Sequence, residues 1–189
     1  MEQMTEDQAL VSEVLRGNTQ AFLRLIRKYE RLVAHMVGRL VKHDEEREEL
    51  CQDVFMRVYE KLGDFSFQSK LSTWIATIAY RHAINHLRKK KLDFKELSEF
   101  QFEGSFIETE NPETVFSEQD TNEFVLGLID KLPPQFKTVL TLYHVEGMNY
   151  AEIGQITEMP EGTVKSYLFR ARNLLKERVK GYLGKEELL

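Results

Sequence analysis

The stretch TQAFLRLIRKYERLVAHMVGRLV sets Phe22, Leu25, Ile26, Tyr29, Leu32, Val33, Met36, Val37 and Leu40 three or four positions apart among charged residues. At about 100° per residue these side chains form one stripe, so Thr19 to Val41 can bury its apolar surface only as an amphipathic helix packed on other helices. The rest of the chain reads the same way, as helical periods separated by short breaks, with no sustained period-two alternation. An all-α fold is expected.

A second helix is expected over about Glu45 to Leu62, with Leu50, Val54, Phe55, Val58 and Leu62 inward and Gly63 as its C-terminal stop. The loop GDFSFQSK leads into LSTWIATIAYRHAINHLRKKK, where Ser72 or Thr73 is the expected N-cap. In that helix Trp74, Ile75, Ile78 and Ala79 read as broadly buried. Further along, Tyr80, Ala83, Ile84 and Leu87 share one face, and Arg81, Asn85 and Arg88 form a polar stripe on the other. Phe65, Phe67, Trp74 and Tyr80 read first as core; stacking surfaces for unpaired bases are the second reading.

From Leu92 to about Asn122 the only cation is Lys95, set against Asp93, Glu96, Glu99, Glu103, Glu108, Glu110, Glu113, Glu118 and Asp120. This stretch lacks a clear period and contains Gly104 and Pro112, which predicts an acidic linker between two small helical domains, residues 1–91 and 123–189. With 189 residues, 42% hydrophobic, the chain can supply both cores.

In the second domain NEFVLGLIDKL reads as helix, Pro133-Pro134 allows a fresh helical start, and Gly147 ends the helix QFKTVLTLYHVE. Asn149 with Glu152 gives a capping box for NYAEIGQIT, and a turn over Glu158 to Gly162 precedes EGTVKSYLFRARNLLKERV. On that last helix Val164, Leu168, Ala171, Leu175 and Val179 form an apolar stripe. Lys165, Ser166, Phe169, Arg170, Asn173 and Lys176 lie opposite. A plain helical hairpin with a solvated basic face would leave Phe169 unexplained. Helix, short turn and basic amphipathic helix is the helix-turn-helix pattern, whose second helix lies in the DNA major groove. There an aromatic ring can contact a thymine methyl, Lys and Arg can reach guanine edges or phosphate, and Ser can bond to several bases.

A formal net charge of -5 argues against a nucleic-acid partner only on average. Cations crowd two segments, Arg81 with Arg88, Lys89, Lys90 and Lys91, and Lys165 with Arg170, Arg172, Lys176, Arg178 and Lys180. The charge is segregated, and the two basic blocks flank the acidic one.

Other chemistries lack their residues. Cys51 is the single cysteine, so neither an internal disulfide nor a cysteine zinc site is expected. His82 and His86 stand four apart in HAINH without the glutamate or third ligand of a zinc hydrolase. There is no phosphate-cradling glycine loop or nucleophile elbow, so no catalytic residue, metal or cofactor is expected. MEQMTEDQAL has no signal pattern, and no apolar run approaches the roughly 20 residues of a membrane span, which predicts a cytoplasmic protein without membrane insertion.

Three stretches, in this order, carry a resemblance: EELCQDVFMRVYEKLGDF, KLSTWIATIAYRHAINHLRKKK and LPPQFKTVLTLYHVEGMNYAEIGQITEMPEGTVKSYLFRARNLLKE. Over nearly its whole length the chain resembles the extracytoplasmic-function sigma factors of the sigma-70 family. The resemblance implies a region 2 domain, a linker running toward the polymerase active-site cleft, and a region 4 helix-turn-helix domain. It further implies a non-catalytic factor that binds core RNA polymerase, directs it to a promoter and helps open the duplex. By position, Glu49, Leu50, Gln52, Asp53 and Phe55 would face the clamp helices of the largest polymerase subunit, and the second domain would meet the flap. Arg81, Asn85, Arg88, Lys89 and Lys90 would bind the minus-10 strand, and Thr163, Lys165, Ser166, Phe169, Arg170 and Asn173 the minus-35 element. Arg81 stands where the family has a smaller amide, which leaves open which residue captures the flipped base. An anti-sigma partner is also implied. A stand-alone helix-turn-helix regulator is the alternative, and it would have no need for the EELCQDVF helix or the linker.

Overall fold

The computed structural model describes residues 5–89, 127–129 and 131–186, with side chains described as far as Lys180. Among the described residues there is helix and turn and no strand, so the fold is all-α. The acidic linker, Lys90 and most of NEFVLGLIDKL lie outside the described residues.

Helix α1 (Glu6–Leu15) is an addition to what the sequence led us to expect. Its signal is TEDQ, a reciprocal cap. Thr5 Oγ1 accepts from the Gln8 N–H at 3.2 Å, and Gln8 Oε1 accepts from the Thr5 N–H at 2.7 Å. Lys28 Nζ, 2.9 Å from Asp7, and the Tyr29 hydroxyl, donating to the same carboxylate at 2.9 Å, tie α1 to α2 (Thr19–Leu40). Asn18 caps α2 by accepting from the N–H groups of Gln20 and Ala21. Leu25, Tyr29, Leu32, Val33, Met36, Val37 and Leu40 are buried as expected, Phe22 and Ile26 are half-buried, and α2 packs on α1, α3 (Asp44–Lys61) and α4 (Leu71–Lys89).

Two expected boundaries differ. Gly63 does not stop α3 in a left-handed conformation; it lies in a 3-10 turn, Leu62–Asp64, that continues the helix. Neither Ser72 nor Thr73 caps α4, because the helix starts earlier. The Trp74 N–H donates to the Lys70 carbonyl at 3.1 Å, and Thr73 is fully buried.

Helix α5 (Pro134–His144) opens on Pro134, and Gly147, at φ 64, lets the chain turn behind it. In α6 (Tyr150–Thr157) the cap pairs the Glu152 N–H with Asn149 Oδ1 at 3.0 Å and the Asn149 N–H with Glu152 Oε2 at 2.9 Å. The long helix α7 (Glu161–Glu186) follows. Gly162 is already inside α7; the left-handed residue of the turn is Glu158, at φ 60. Gly154 is what lets the turn close, since a Cβ there would stand 2.7 Å from the Met159 carbonyl oxygen.

Helices α5 and α6 pack on α7, and the two units also pack on each other through α4 against α6 and α2 against α5. Hydrogen-bonding pairs of ionisable side chains line that seam. Arg81 meets Glu158 at 2.8 Å, Lys70 meets Glu152 at 2.8 Å, and His35 Nδ1 lies 2.6 Å from Glu146 Oε1.

Candidate nucleic-acid and polymerase interfaces

Val164, Leu168 and Ala171 are buried against α5 and α6, which fixes the roll of α7. Leu175 and Val179, expected to continue the stripe, are only half-buried. With that face inward, Lys165, Ser166, Phe169, Arg170 and Asn173 are exposed together, and Thr163 is half-buried at the first turn. Phe169 leaves 66% of its surface to solvent. Ser166 Oγ donates to the Thr163 carbonyl at 2.8 Å, so its lone pairs stay open to a donor on a base. Lys165 Nζ stands 5.3 Å from the centroid of the Tyr150 ring.

Helix α4 presents Arg81, Asn85, Arg88 and Lys89 outward, while Ala83, Ile84 and Leu87 are buried. Arg81 is already engaged: its Nε and Nη2 donate to Glu158 Oε1 at 3.1 and 2.8 Å. Between the outward residues, His86 Nε2 lies 3.0 Å from Glu46, and burial holds the half-buried His82 below the ordinary imidazole range. Among the described residues no three His, Cys, Asp or Glu side chains converge on a metal position.

The four aromatics read together in sequence separate here. Phe65 and Tyr80 are buried, and Trp74 is half-buried with its ring 5.1 Å from that of Phe65. Phe67 is different. It is 42% exposed, its ring lies 4.6 Å from Phe65, and its backbone sits at φ 59, a region a bulky residue enters only where its surroundings hold it there. No periodicity could have singled it out.

On α3, Glu49, Gln52 and Asp53 are exposed as a polymerase contact requires. Leu50 and Phe55 are not: both are buried in the core beside Val54 and Val58. Met56, which no sequence motif singled out, is 58% exposed and extends the Gln52 and Asp53 face by one turn. Burial raises the half-buried Cys51 thiol, which makes it a poor nucleophile.

Comparison with known proteins gives these surfaces a common setting. The family description "Sigma-70 region 2" matches residues 25–92, and "Sigma-70, region 4" matches residues 125–175. The chain is 32% identical over 185 residues to the ECF RNA polymerase sigma-E factor of Escherichia coli K12, covering 94% of this chain and 96% of that one. It is 34% identical over 186 residues to the RNA polymerase sigma-H factor of Pseudomonas aeruginosa, with the same two coverages. Its fold is similar to that of CnrH, solved with the cytosolic domain of CnrY, at TM-score 0.65 and 17% identity over 92% of this chain and 96% of that one. It is also similar to the sigma factor RpoE of Bartonella quintana, solved with the anti-sigma factor NepR, at TM-score 0.62 and 23% identity over 84% and 96%.

The chain belongs to the extracytoplasmic-function sigma factors of the sigma-70 family. It is an alternative sigma factor, a transcription initiation factor that takes RNA polymerase to specific promoters, and not a stand-alone regulator. Among the described residues no helix is long and apolar enough to cross a membrane.

Proposed function

We propose that the two outward basic faces divide promoter recognition between them. Thr163, Lys165, Ser166, Phe169, Arg170 and Asn173 on α7 read the minus-35 element in the major groove. Arg81, Asn85, Arg88, Lys89 and, beyond the described residues, Lys90 bind the minus-10 strand as it opens. The observation that carries the first assignment is Phe169, exposed among cations on the side of α7 that faces away from α5 and α6. A groove-reading helix needs such an apolar contact between polar ones.

Phe67 is the stacking surface for an unpaired base beside that strand, supported by its exposure and its left-handed backbone. Glu49, Gln52, Asp53 and Met56 form the face that docks on the clamp helices of core polymerase, and the second domain meets the flap. The division is residues 1–91 for core binding and minus-10 melting, 92–122 for the acidic linker and 123–189 for minus-35 recognition. The factor catalyses nothing itself, works in the cytoplasm and is held in check by an anti-sigma factor. The last point draws support from the two similar folds, one solved with the anti-sigma factor NepR and the other with the cytosolic domain of CnrY.

In vitro transcription tests the whole reading. The chain with core polymerase should initiate at a small set of genomic promoters, and Arg170→Ala should lower initiation and relax base preference at one or two minus-35 positions. Each good base contact is worth about 1 to 3 kcal/mol. An R170A holoenzyme with unchanged strength and preference would remove α7 as the reader.

A further inference from the structure

Five side chains form a continuous group beside the recognition helix, and only Lys165 among them belongs to the minus-35 set above. The rings of Tyr143, at the end of α5, and Tyr150, at the start of α6, stack at 5.3 Å with 13° between their planes. Each ring carries one cation from α7, Lys165 Nζ at 5.3 Å from the Tyr150 centroid and Arg172 Cζ at 5.2 Å from that of Tyr143. Arg172 also donates from Nε and Nη2 to His144 Nε2 at 3.3 and 3.1 Å. A guanidinium can only donate, so His144 Nε2 is the acceptor here, and burial and the Arg172 charge both hold His144 below the ordinary imidazole range.

Lys165 and Arg172 are seven residues apart, two turns of helix, so they stand about 10 Å from each other along one flank of α7. What holds them is neutral. Arg81, Lys70 and Lys28 are each paired with a carboxylate, whereas Lys165 and Arg172 are steadied by ring faces and an uncharged imidazole. A cation fixed in this way keeps its full charge for a phosphate or a guanine edge. It also has less rotamer freedom left to lose on binding.

We propose that the stacked Tyr143 and Tyr150 rings are a positioning platform that presents Lys165 and Arg172, already ordered, to the minus-35 duplex. Arg172 thereby becomes a DNA contact beside those assigned above. The inference rests on the minus-35 role of α7. The tyrosines act through the cations and are not themselves the contact.

The test is a double-mutant cycle on reconstituted holoenzyme, binding a duplex promoter fragment chosen by start-site mapping, at fixed salt. Y150L should weaken binding about three- to ten-fold, the range expected when a cation no longer rests on a ring face. Y150F, which keeps the ring and drops the hydroxyl, should stay within about two-fold of the parent. In a K165M background Y150L should add nothing, and Y143L should likewise add nothing to R172M. Multiplying effects, or Y150F as damaging as Y150L, would mean direct contact by the tyrosine and overturn the platform. A K165M holoenzyme that binds normally would overturn the minus-35 assignment of that residue and the platform with it. If Y150L does not fold, NMR of the parent chain decides: the Lys165 ε-methylene must show an upfield ring-current shift, and its absence refutes the proposal.

Discussion

Arg81 Nη2 lies 2.8 Å from Glu158 Oε1, so the outward face of α4 is joined to the left-handed residue that ends α6. With Lys70 to Glu152 and His35 to Glu146 it fastens the two domains along one seam. Arg81 and Glu158 are both exposed, and an exposed pair contributes at most about 1 kcal/mol, so this end of the seam is a clasp that binding can open. Raising salt from about 0.1 to 1 M cuts the screening length from about 10 to 3 Å. The radius of gyration from small-angle scattering should rise with it, and E158Q should give part of that rise at low salt. A radius indifferent to both would leave apolar packing as the only fastening.

Glu152 serves two elements at once, capping α6 and receiving Lys70. Burial would raise its carboxyl, but the hydrogen bonds from Lys70 and the Asn149 backbone outweigh that and hold it below its ordinary value. Glu152→Gln keeps the reciprocal cap and loses the charge; Glu152→Ala loses both. The Ala variant should be destabilised by about 1 to 2 kcal/mol and the Gln variant by distinctly less, read from denaturant midpoints. Because the folded-state value is depressed, this stability is present above the ordinary pKa of 4.5 and is lost as pH falls through the lower folded value. E152Q should flatten that part of the acid-unfolding curve.

Phe67 separates folding from function. Its left-handed backbone costs on the order of 1 to 2 kcal/mol, and its contact with Phe65 returns about 0.5 to 1.5 kcal/mol. Phe67→Asn, which tolerates that backbone, should therefore melt within a few degrees of the parent. Permanganate footprinting of the promoter bubble should nevertheless show slower opening. Normal opening by F67N would exclude the ring as a stacking surface.

Gly154 has no such tolerance. Valine there would drive a branched side chain into the Met159 carbonyl oxygen, which a bare Cβ would already meet at 2.7 Å, and the turn between α6 and α7 would have to open. G154V should lose the thermal transition of the second domain and minus-35 binding together, while core-polymerase binding through α3 survives. Retention of specific minus-35 binding would show that the turn has slack.

What the sequence disclosed follows from which signals are local. The stripes of α2, α4 and α7 were legible because burial on one side imposes a period that no other structure shares. The Asn149 and Glu152 cap was legible because both partners lie within one turn. The burial of Leu50 and Phe55 was not legible, because a family position names a helix, whereas the direction a residue points depends on how α3 rolls against α2. Which of the four aromatics stays exposed, and the tyrosine stack, were hidden, since the exposure of Phe67 depends on a backbone conformation without its usual glycine and the stack on contacts between three helices. The seam was hidden for the same reason: its partners are separated by 77 positions at Arg81 and Glu158 and by 111 at His35 and Glu146.

The clasp also changes how the promoter trades ions with the solution. A free arginine that meets a phosphate sheds condensed counterions from the DNA, and affinity falls steeply with salt as a result. On the minus-10 role proposed for Arg81, the residue must first surrender Glu158, and the freed carboxylate then gathers cations of its own from the solvent. Part of what the nucleic acid releases is thus taken up again by the protein. With that role, opening a promoter exchanges one anion for another at Arg81, and its salt dependence should be shallower than a count of basic contacts would give.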